Sequence, residues 1–296
     1  MKSGFVAILG RPNVGKSTLL NHILNRKVSI VTSKSQTTRN AIKGIYTDEN
    51  VQIVFVDTPG IHKPNQKLDE EMNIMAYRTS HDVDAIILVI DASLPFGKGD
   101  QYLLDHLALN DVPLILVFNK IDKVRIDKCE ALKRIYLEKF KDAVVIDTVA
   151  TEGFNTDEII KKLTELLPEG PQFYESDTYT DQDLVFQIKE IIREKILLNL
   201  SDEVPHSIAI YVDDIEWESN PMPIKASIIV EKESQKGIVI GANGKRIKLI
   251  GTKARQSIEA LVKKHVYLDL VVKVDEGWRD TDSSLAKYGY KNKKDE

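Results

Sequence analysis

The chain has 296 residues, 42% hydrophobic and 29% charged, with a formal net charge of -4. Such a length favours two domains, and such a composition a soluble globular protein. The acidic balance excludes a surface that is basic throughout. The single cysteine, Cys129, excludes an internal disulfide and any cysteine-based metal cluster, and fits a reducing cytosol.

Met1-Lys2-Ser3-Gly4 leads straight into a strand pattern, so no signal peptide is expected. The longest apolar run, Ala85–Ile90, falls far short of the roughly 18 residues that span a bilayer. A cytoplasmic chain, at most peripheral to a membrane, is expected. The six histidines are scattered, without metal-ligand spacing.

Six strands are predicted up to about Leu167: Phe5–Leu9, Ala41–Thr47, Val51–Asp57, Ala85–Ile90, Leu114–Asn119 and Val144–Val149. Helical patterns separate most of them. This predicts an α/β domain, a mostly parallel six-stranded sheet with helices on both faces. The short Asp48-Glu49-Asn50 link predicts a hairpin, and so one antiparallel edge strand. Ligands of such sheets sit at the carboxyl ends of the strands.

The first strand runs into Gly10-Arg11-Pro12-Asn13-Val14-Gly15-Lys16-Ser17, followed by Thr18 and a helical pattern. This is the phosphate-loop pattern G-x-x-x-x-G-K-[ST] in its required strand–loop–helix context. Its backbone N–H groups and the helix N-terminus would hold a polyphosphate. Lys16 would neutralise the β- and γ-phosphates, and Ser17 would ligate Mg²⁺.

The polar loop Thr32–Asn40 occupies the place where nucleotide switches carry a Mg²⁺-binding threonine. Thr37 and Thr38 both qualify; Thr38, directly before Arg39, is preferred. Asp57-Thr58-Pro59-Gly60 closes the third strand. Asp57 would hold Mg²⁺ through water, and the Gly60 N–H would meet the γ-phosphate. Lys16, Thr38 and Gly60 are thus the catalytic candidates. Asn119-Lys120-Ile121-Asp122 follows the fifth strand. A carboxylate at Asp122 pairs with N1–H and the 2-amino group of guanine, which adenine lacks. Asn119 and Lys120 would brace that loop and cover the base.

The ordered set GRPNVGKS, QTTRN, DTPG and NKID resembles the translation-factor-related GTPases. The resemblance implies GTP/GDP and Mg²⁺ as ligands. It sets Val149 and Ala150 at the base, where the family usually has serine and alanine, so a side-chain contact is lost at Val149. It suggests a K⁺ ion at Asn13, with loop bracing as the other reading. Ile61 stands where many small GTPases have the glutamine that orients the attacking water, so slow hydrolysis is expected.

Pro168-Glu169-Gly170-Pro171 ends the first domain at about residue 170, and 171–183 reads as a linker. A second domain over 184–279 follows the order α-β-β-α-α-β. Its elements are a helix over Leu184–Leu200, strands Ser207–Trp217 and Ile224–Glu233, helices up to Lys264, and a strand over Val266–Asp275. From Lys236 to Lys264 there are eight basic residues and one acid, Glu259, a local charge of +7. A confined basic patch of this kind suits a polyanion.

Gly241-Ala242-Asn243-Gly244 between two helices matches the loop of KH modules, which clamps single-stranded nucleotides. RNA contacts are expected from Lys236, Ile240, Gly241, Ala242, Asn243, Gly244, Lys245, Arg246, Lys248, Lys253 and Arg255. The base groove is expected between Ile240, Ile247 and a face of Val230. The tail over 280–296, with Lys291, Lys293 and Lys294, is expected to be mobile.

Together the two domains resemble the bacterial Era family, a P-loop GTPase domain followed by an α+β type II KH domain. Gly277-Trp278-Arg279 near the end is part of the likeness. The resemblance implies a monomeric GTP-hydrolysing switch. Its implied partners are single-stranded 3′-end 16S ribosomal RNA and the small ribosomal subunit, during subunit assembly. Peripheral membrane association is also implied. The competing reading is a signalling GTPase with a protein or membrane partner.

Overall fold

The structure, a computed structural model, describes residues 1–34, 36–106, 112–200 and 204–291. Ser35 of the polar loop, and Lys293 and Lys294 of the tail, lie outside the described residues. The chain divides into two compact units, one of 1–65 and 69–181, the other of 66–68 and 182–296.

The first unit alternates strands and helices: β1 (Lys2–Gly10), α1 (Lys16–Ile23), β2 (Ile42–Thr47), β3 (Val51–Asp57), α2 (Lys67–His81), β4 (Ala85–Asp91) and α3 (Lys98–His106). Then come β5 (Leu114–Asn119), α4 (Ile126–Lys139), β6 (Val144–Thr148) and α5 (Thr156–Leu166). The sheet order is β2-β3-β1-β4-β5-β6. Only the β2–β3 hairpin is antiparallel, as the short link requires.

Alternation along β1 explains the layering. Val6 and Ile8 pack with Leu19 and Leu20 of α1 and Ile159 and Leu163 of α5. Ala7 and Leu9 point the other way, into a core with Ala76, Leu103, Leu132 and Tyr136 of α2, α3 and α4. Covering both faces is why these strands read as unbroken apolar runs.

The stretch 171–181 is not a free linker. Its backbone follows the β2 edge: Ile45 N–H donates to the Tyr179 carbonyl (2.9 Å), and Thr180 Oγ1 to the Lys43 carbonyl (2.8 Å). The buried Gln52 amide accepts from Phe173 N–H (2.6 Å) and donates to the Tyr174 carbonyl (2.9 Å). These bonds occupy groups that an open sheet edge would leave unpaired. The polar composition of the stretch carries no sign of this, because the bonds are mostly to backbone.

The second unit is built from α6 (Leu184–Asn199), β7 (Ala209–Ile215), β8 (Met222–Val230), α7 (Glu233–Ile240), α8 (Lys245–Val262), β9 (Val266–Val274) and α9 (Asp282–Tyr288). The sheet order is β7-β8-β9, with β7–β8 antiparallel and β8–β9 parallel. Ile188, Ile192 and Ile196 of α6 and Ile250, Ala254 and Ile258 of α8 close one core over the sheet.

For the described part of the tail, 280–291, the expectation of mobility is corrected by α9. Leu285 and Tyr288 are buried, and Tyr288 donates to Asp275 Oδ2 (2.6 Å). Trp278, fully buried, packs edge-on to Tyr288, stacks on Tyr290, and donates from its indole to the Ser207 carbonyl (3.0 Å). Aromatic residues spaced along a polar tail were the available signal.

Candidate functional site

The phosphate loop joins β1 to α1 and lines a cavity of about 450 Å³ with residues from four other loops. Pro12, Asn13, Gly15, Lys16, Ser17, Thr18, Thr38, Gly60, Asn119, Lys120, Asp122 and Val149 all reach it. Lys16 is buried, its ammonium held by the carbonyls of Gly10 (3.2 Å) and Arg11 (2.9 Å). Burial lowers its pKa to about 8, against the opposing pull of Asp57.

At the end of β3, Asp57 Oδ2 accepts from Ser17 Oγ at 2.6 Å, and Ser17 Oγ lies 2.9 Å from Thr38 Oγ1. Thr37 turns away to the Lys34 carbonyl (2.7 Å), so the preferred threonine is the one at the cluster. Asp57 is fully buried, and desolvation raises its pKa despite Lys16 and the neighbouring hydroxyls. Its Oδ1 is buried without a hydrogen-bond partner. A carboxylate with a spare buried oxygen beside two hydroxyls fits a hard, oxygen-seeking cation such as Mg²⁺.

Gly60 presses on the phosphate loop. A Cβ there would lie 2.6 Å from the Pro12 backbone nitrogen, and Ile61 N–H donates to the Gly10 carbonyl (3.0 Å). Ile61 itself has 0% exposure and belongs to the core, so it orients no water.

Asn119 is the hub of the base-side loops. Its Nδ2 donates to the Val14 carbonyl (2.8 Å), and its Oδ1 accepts from Lys120 N–H (2.8 Å) and Ala150 N–H (2.9 Å). Lys120 Nζ ties Asn13 O (2.8 Å) to Asp91 (2.6 Å). Asp122 stands exposed at the cavity rim, with its carboxylate open to a donor.

Other side chains of the expected set are bonded or packed within the protein. The Arg11 guanidinium pairs with Asp100 (2.8 Å), which also takes the Tyr136 hydroxyl (2.9 Å). Thr58 Oγ1 donates back to Ile8 O (2.9 Å), and the Val14 side chain is core. Pro59 is buried at the turn. Asn13 Nδ2 reaches the Ser33 carbonyl (3.3 Å), which is loop bracing.

Sequence reasoning missed a second network. His62 Nδ1 lies 3.0 Å from Gly60 O, and its Nε2 lies 3.3 Å from Gln36 Nε2 and 3.5 Å from Asp69 Oδ1. Asp69 holds the His62 pKa above its ordinary value. Gln36 also donates to Asp69 (2.7 Å), joining the loop before Thr38 to the segment after Gly60.

In the second unit, Gly241 ends α7 with φ of 71°, and its Cβ would lie 2.6 Å from Arg246 Cβ. Ala242 and Asn243 are exposed in the turn, and Gly244 precedes α8. A groove of about 360 Å³ runs between α8 and β9, lined by Ile247, Lys248, Gly251, Thr252, Arg255, Tyr267, Leu268 and Leu270. The expected Val230 wall is corrected, because Val230 has 0% exposure and packs in the core.

The basic residues separate by helix face. Lys248 and Arg255 line the groove, and Arg255 also pairs with Glu259 (3.1 Å). Arg246 is turned back to the Ile238 carbonyl (2.7 Å), and Lys253 Nζ to Asn199 of α6 (2.8 Å). Lys236 is 3.5 Å from Glu233. Lys245 is exposed beside the turn, and Ile240 is half-buried.

Fold and site define a class: a P-loop guanine-nucleotide hydrolase joined to a KH domain. The sequence pattern of the 50S ribosome-binding GTPase family matches residues 5–120, and that of the KH domain matches 203–279. GTPase Era of Caldanaerobacter subterraneus subsp. tengcongensis is 48% identical over 293 residues, 98% of each chain. The chain belongs to the Era family of GTPases. Era solved with MgGDPNP and nucleotides 1506–1542 of 16S ribosomal RNA is 38% identical, with a TM-score of 0.93 over 98% of this chain and 99% of that one. A single-substitution variant of Aquifex aeolicus Era bound to GDP.AlF4- is 37% identical, with a TM-score of 0.91 over 98% and 99%.

Proposed function

We propose that the chain is a GTP-dependent switch that binds the single-stranded 3′ end of 16S ribosomal RNA and acts in small ribosomal subunit assembly. The observation that carries the reading is the whole-length similarity to an Era solved with both MgGDPNP and a 16S ribosomal RNA segment. The matching family name refers to the large subunit. The 16S segment belongs to the small one, and the whole-length relative is the more specific guide.

In this reading GTP phosphates lie on the phosphate loop and Lys16. Ser17, Thr38 and Asp57 would hold Mg²⁺, which would supply charge neutralisation at the phosphates. Asp122 selects guanine. Thr38 and Gly60 register the γ-phosphate, and their loops are the parts that differ between nucleotide states. The buried Ile61 supports slow hydrolysis, because the usual water-orienting side chain is missing there. A K⁺ ion beside Asn13 is the alternative to loop bracing by that side chain; equal turnover in potassium and sodium at one ionic strength would remove it.

The RNA backbone follows the Gly241–Gly244 turn, and its bases enter the groove beside Ile247, Leu268 and Leu270. Any membrane contact is peripheral in this reading, since among the described residues no helix is long and apolar enough to cross a membrane. The test is affinity for a 16S 3′-end oligonucleotide with a non-hydrolysable GTP analogue against GDP. By reciprocity, tighter RNA binding with the analogue requires RNA to strengthen analogue binding by the same factor. Equal affinities would defeat the switch.

A further inference from the structure

Ser29 lies in the segment between α1 and β2, outside the motifs that carry the nucleotide chemistry. It is 2% exposed and does not line the nucleotide cavity. Its Oγ nevertheless donates to Asp57 Oδ2 at 2.8 Å, the same oxygen that Ser17 Oγ reaches at 2.6 Å. The Ser29 backbone is pinned on both sides by Asn21 of α1. Asn21 Oδ1 accepts from Ser29 N–H (2.9 Å) and Val28 N–H (2.8 Å), and Asn21 Nδ2 donates to Ser29 O (2.8 Å).

We infer that Ser29 is a positioning residue that locks the Asp57 carboxylate for divalent-cation binding. The inference rests on the metal reading of Ser17, Thr38 and Asp57 given above. The last torsion of an aspartate is broad, so a carboxylate with one partner swings. Two hydroxyls on Oδ2 fix its plane and leave Oδ1 as the buried oxygen without a protein partner. Ser17 alone cannot do this, because it stands at the cation site itself. Ser29 supplies a second hydroxyl from behind, and Asn21 ties that hydroxyl to the helix that follows the phosphate loop.

The test uses the full chain loaded with fluorescent GDP, with release rates measured over a buffered series of free Mg²⁺. Ser29→Ala should raise the Mg²⁺ concentration for half-maximal slowing about tenfold, the scale of one lost hydrogen bond to a charged group. Its release rate without Mg²⁺ should stay within about twofold of the parent, and high Mg²⁺ should restore slow release. A general loss of packing would instead change release at every Mg²⁺ concentration. Ser80→Ala removes an equally buried hydroxyl, bonded to Tyr77 O, and should leave the Mg²⁺ midpoint in place.

Asn21→Ala, which frees the Ser29 backbone without touching Asp57, should shift the midpoint the same way by about threefold. It serves where Ser29→Ala fails to fold. An unchanged midpoint in the folded Ser29→Ala or Asn21→Ala protein overturns the inference. Release from the parent that ignores Mg²⁺ overturns the metal reading itself, which separates the two failures.

Discussion

The nucleotide cavity and the α8–β9 groove are built in contrasting ways. Behind the cavity rim, key polar groups are buried and already bonded to one another. Asn119 alone joins Val14, Lys120 and Ala150, and Asp57 takes two serine hydroxyls. Along the groove the lining is apolar at its floor, and Lys248 and Thr252 stand exposed. A preorganised site concentrates energy in few residues, because each buried polar group left unpaired costs the full desolvation penalty. An open cationic groove spreads energy over many screened contacts. Single substitutions should therefore be large at the first and small at the second.

The largest effect should come from Asp122→Asn. One of the two accepting oxygens becomes an NH₂ donor, so guanine's N1–H and 2-amino donors no longer both find an acceptor, and one of them meets the new amide donor to donor. The preference for GTP over XTP should fall by a factor on the order of 10³ or more, because sites built around a hydrogen bond discriminate strongly. Competition between labelled GTP and XTP measures it. A ratio within a few-fold of the parent would mean that base recognition lies elsewhere, and would remove the sharpest side of the contrast.

The same contrast explains what the sequence made legible. Motif spacing transfers to geometry where backbone conformation does the work, as in the phosphate loop and the DTPG turn. The six strands and the antiparallel edge pair followed from apolar runs and one short hairpin link; their order across the sheet did not. Spacing says little about where a long side chain ends. Arg11 reads as part of the phosphate loop, yet its guanidinium is taken by the buried Asp100 far along the chain. Arg246 and Lys253 count toward the +7 patch but point to a helix carbonyl and to Asn199. The groove was misplaced onto Val230, whose side chain is taken up entirely by the core. Leu268 and Leu270 alternate in β9 and are half-buried, which is the mark of a surface awaiting cover. Ser29 carried no sequence signal, since its partner is 28 positions away.

The next effect is in pH. Lys16 has a pKa of about 8 in the nucleotide-free protein, against an ordinary 10.5, chiefly through burial. Bound phosphates require it charged, so above about pH 8 binding must take up a proton. Affinity for GDP should be flat below that point and fall by up to tenfold per pH unit above it. Stability runs the other way. Between about 8 and 10.5 the unfolded chain binds more protons than the folded one, so the nucleotide-free domain should gain stability as pH rises. Calorimetry in buffers of different ionisation enthalpy reads the proton uptake. Affinity that stays flat to about pH 9.5 would place the lysine proton outside the binding equilibrium.

The smallest effects should separate residues within the basic patch. Lys248→Ala and Arg255→Ala remove cations that line the groove. Each should weaken binding of a single-stranded 16S oligonucleotide about three- to tenfold and flatten its salt dependence by about 0.7 in log–log slope, the loss of one phosphate contact. Lys253→Ala removes an equal charge from the same helix, but its ammonium is held by Asn199 and does not line the groove. It should cost less than about twofold and leave the slope unchanged, because only the screened long-range field is lost. Titrations at two or three salt concentrations distinguish the outcomes. Equal losses at 248, 253 and 255 would mean that the patch acts through net charge alone. Unequal losses, ordered by the direction in which each side chain points, would mean that α8 presents one face to the RNA backbone.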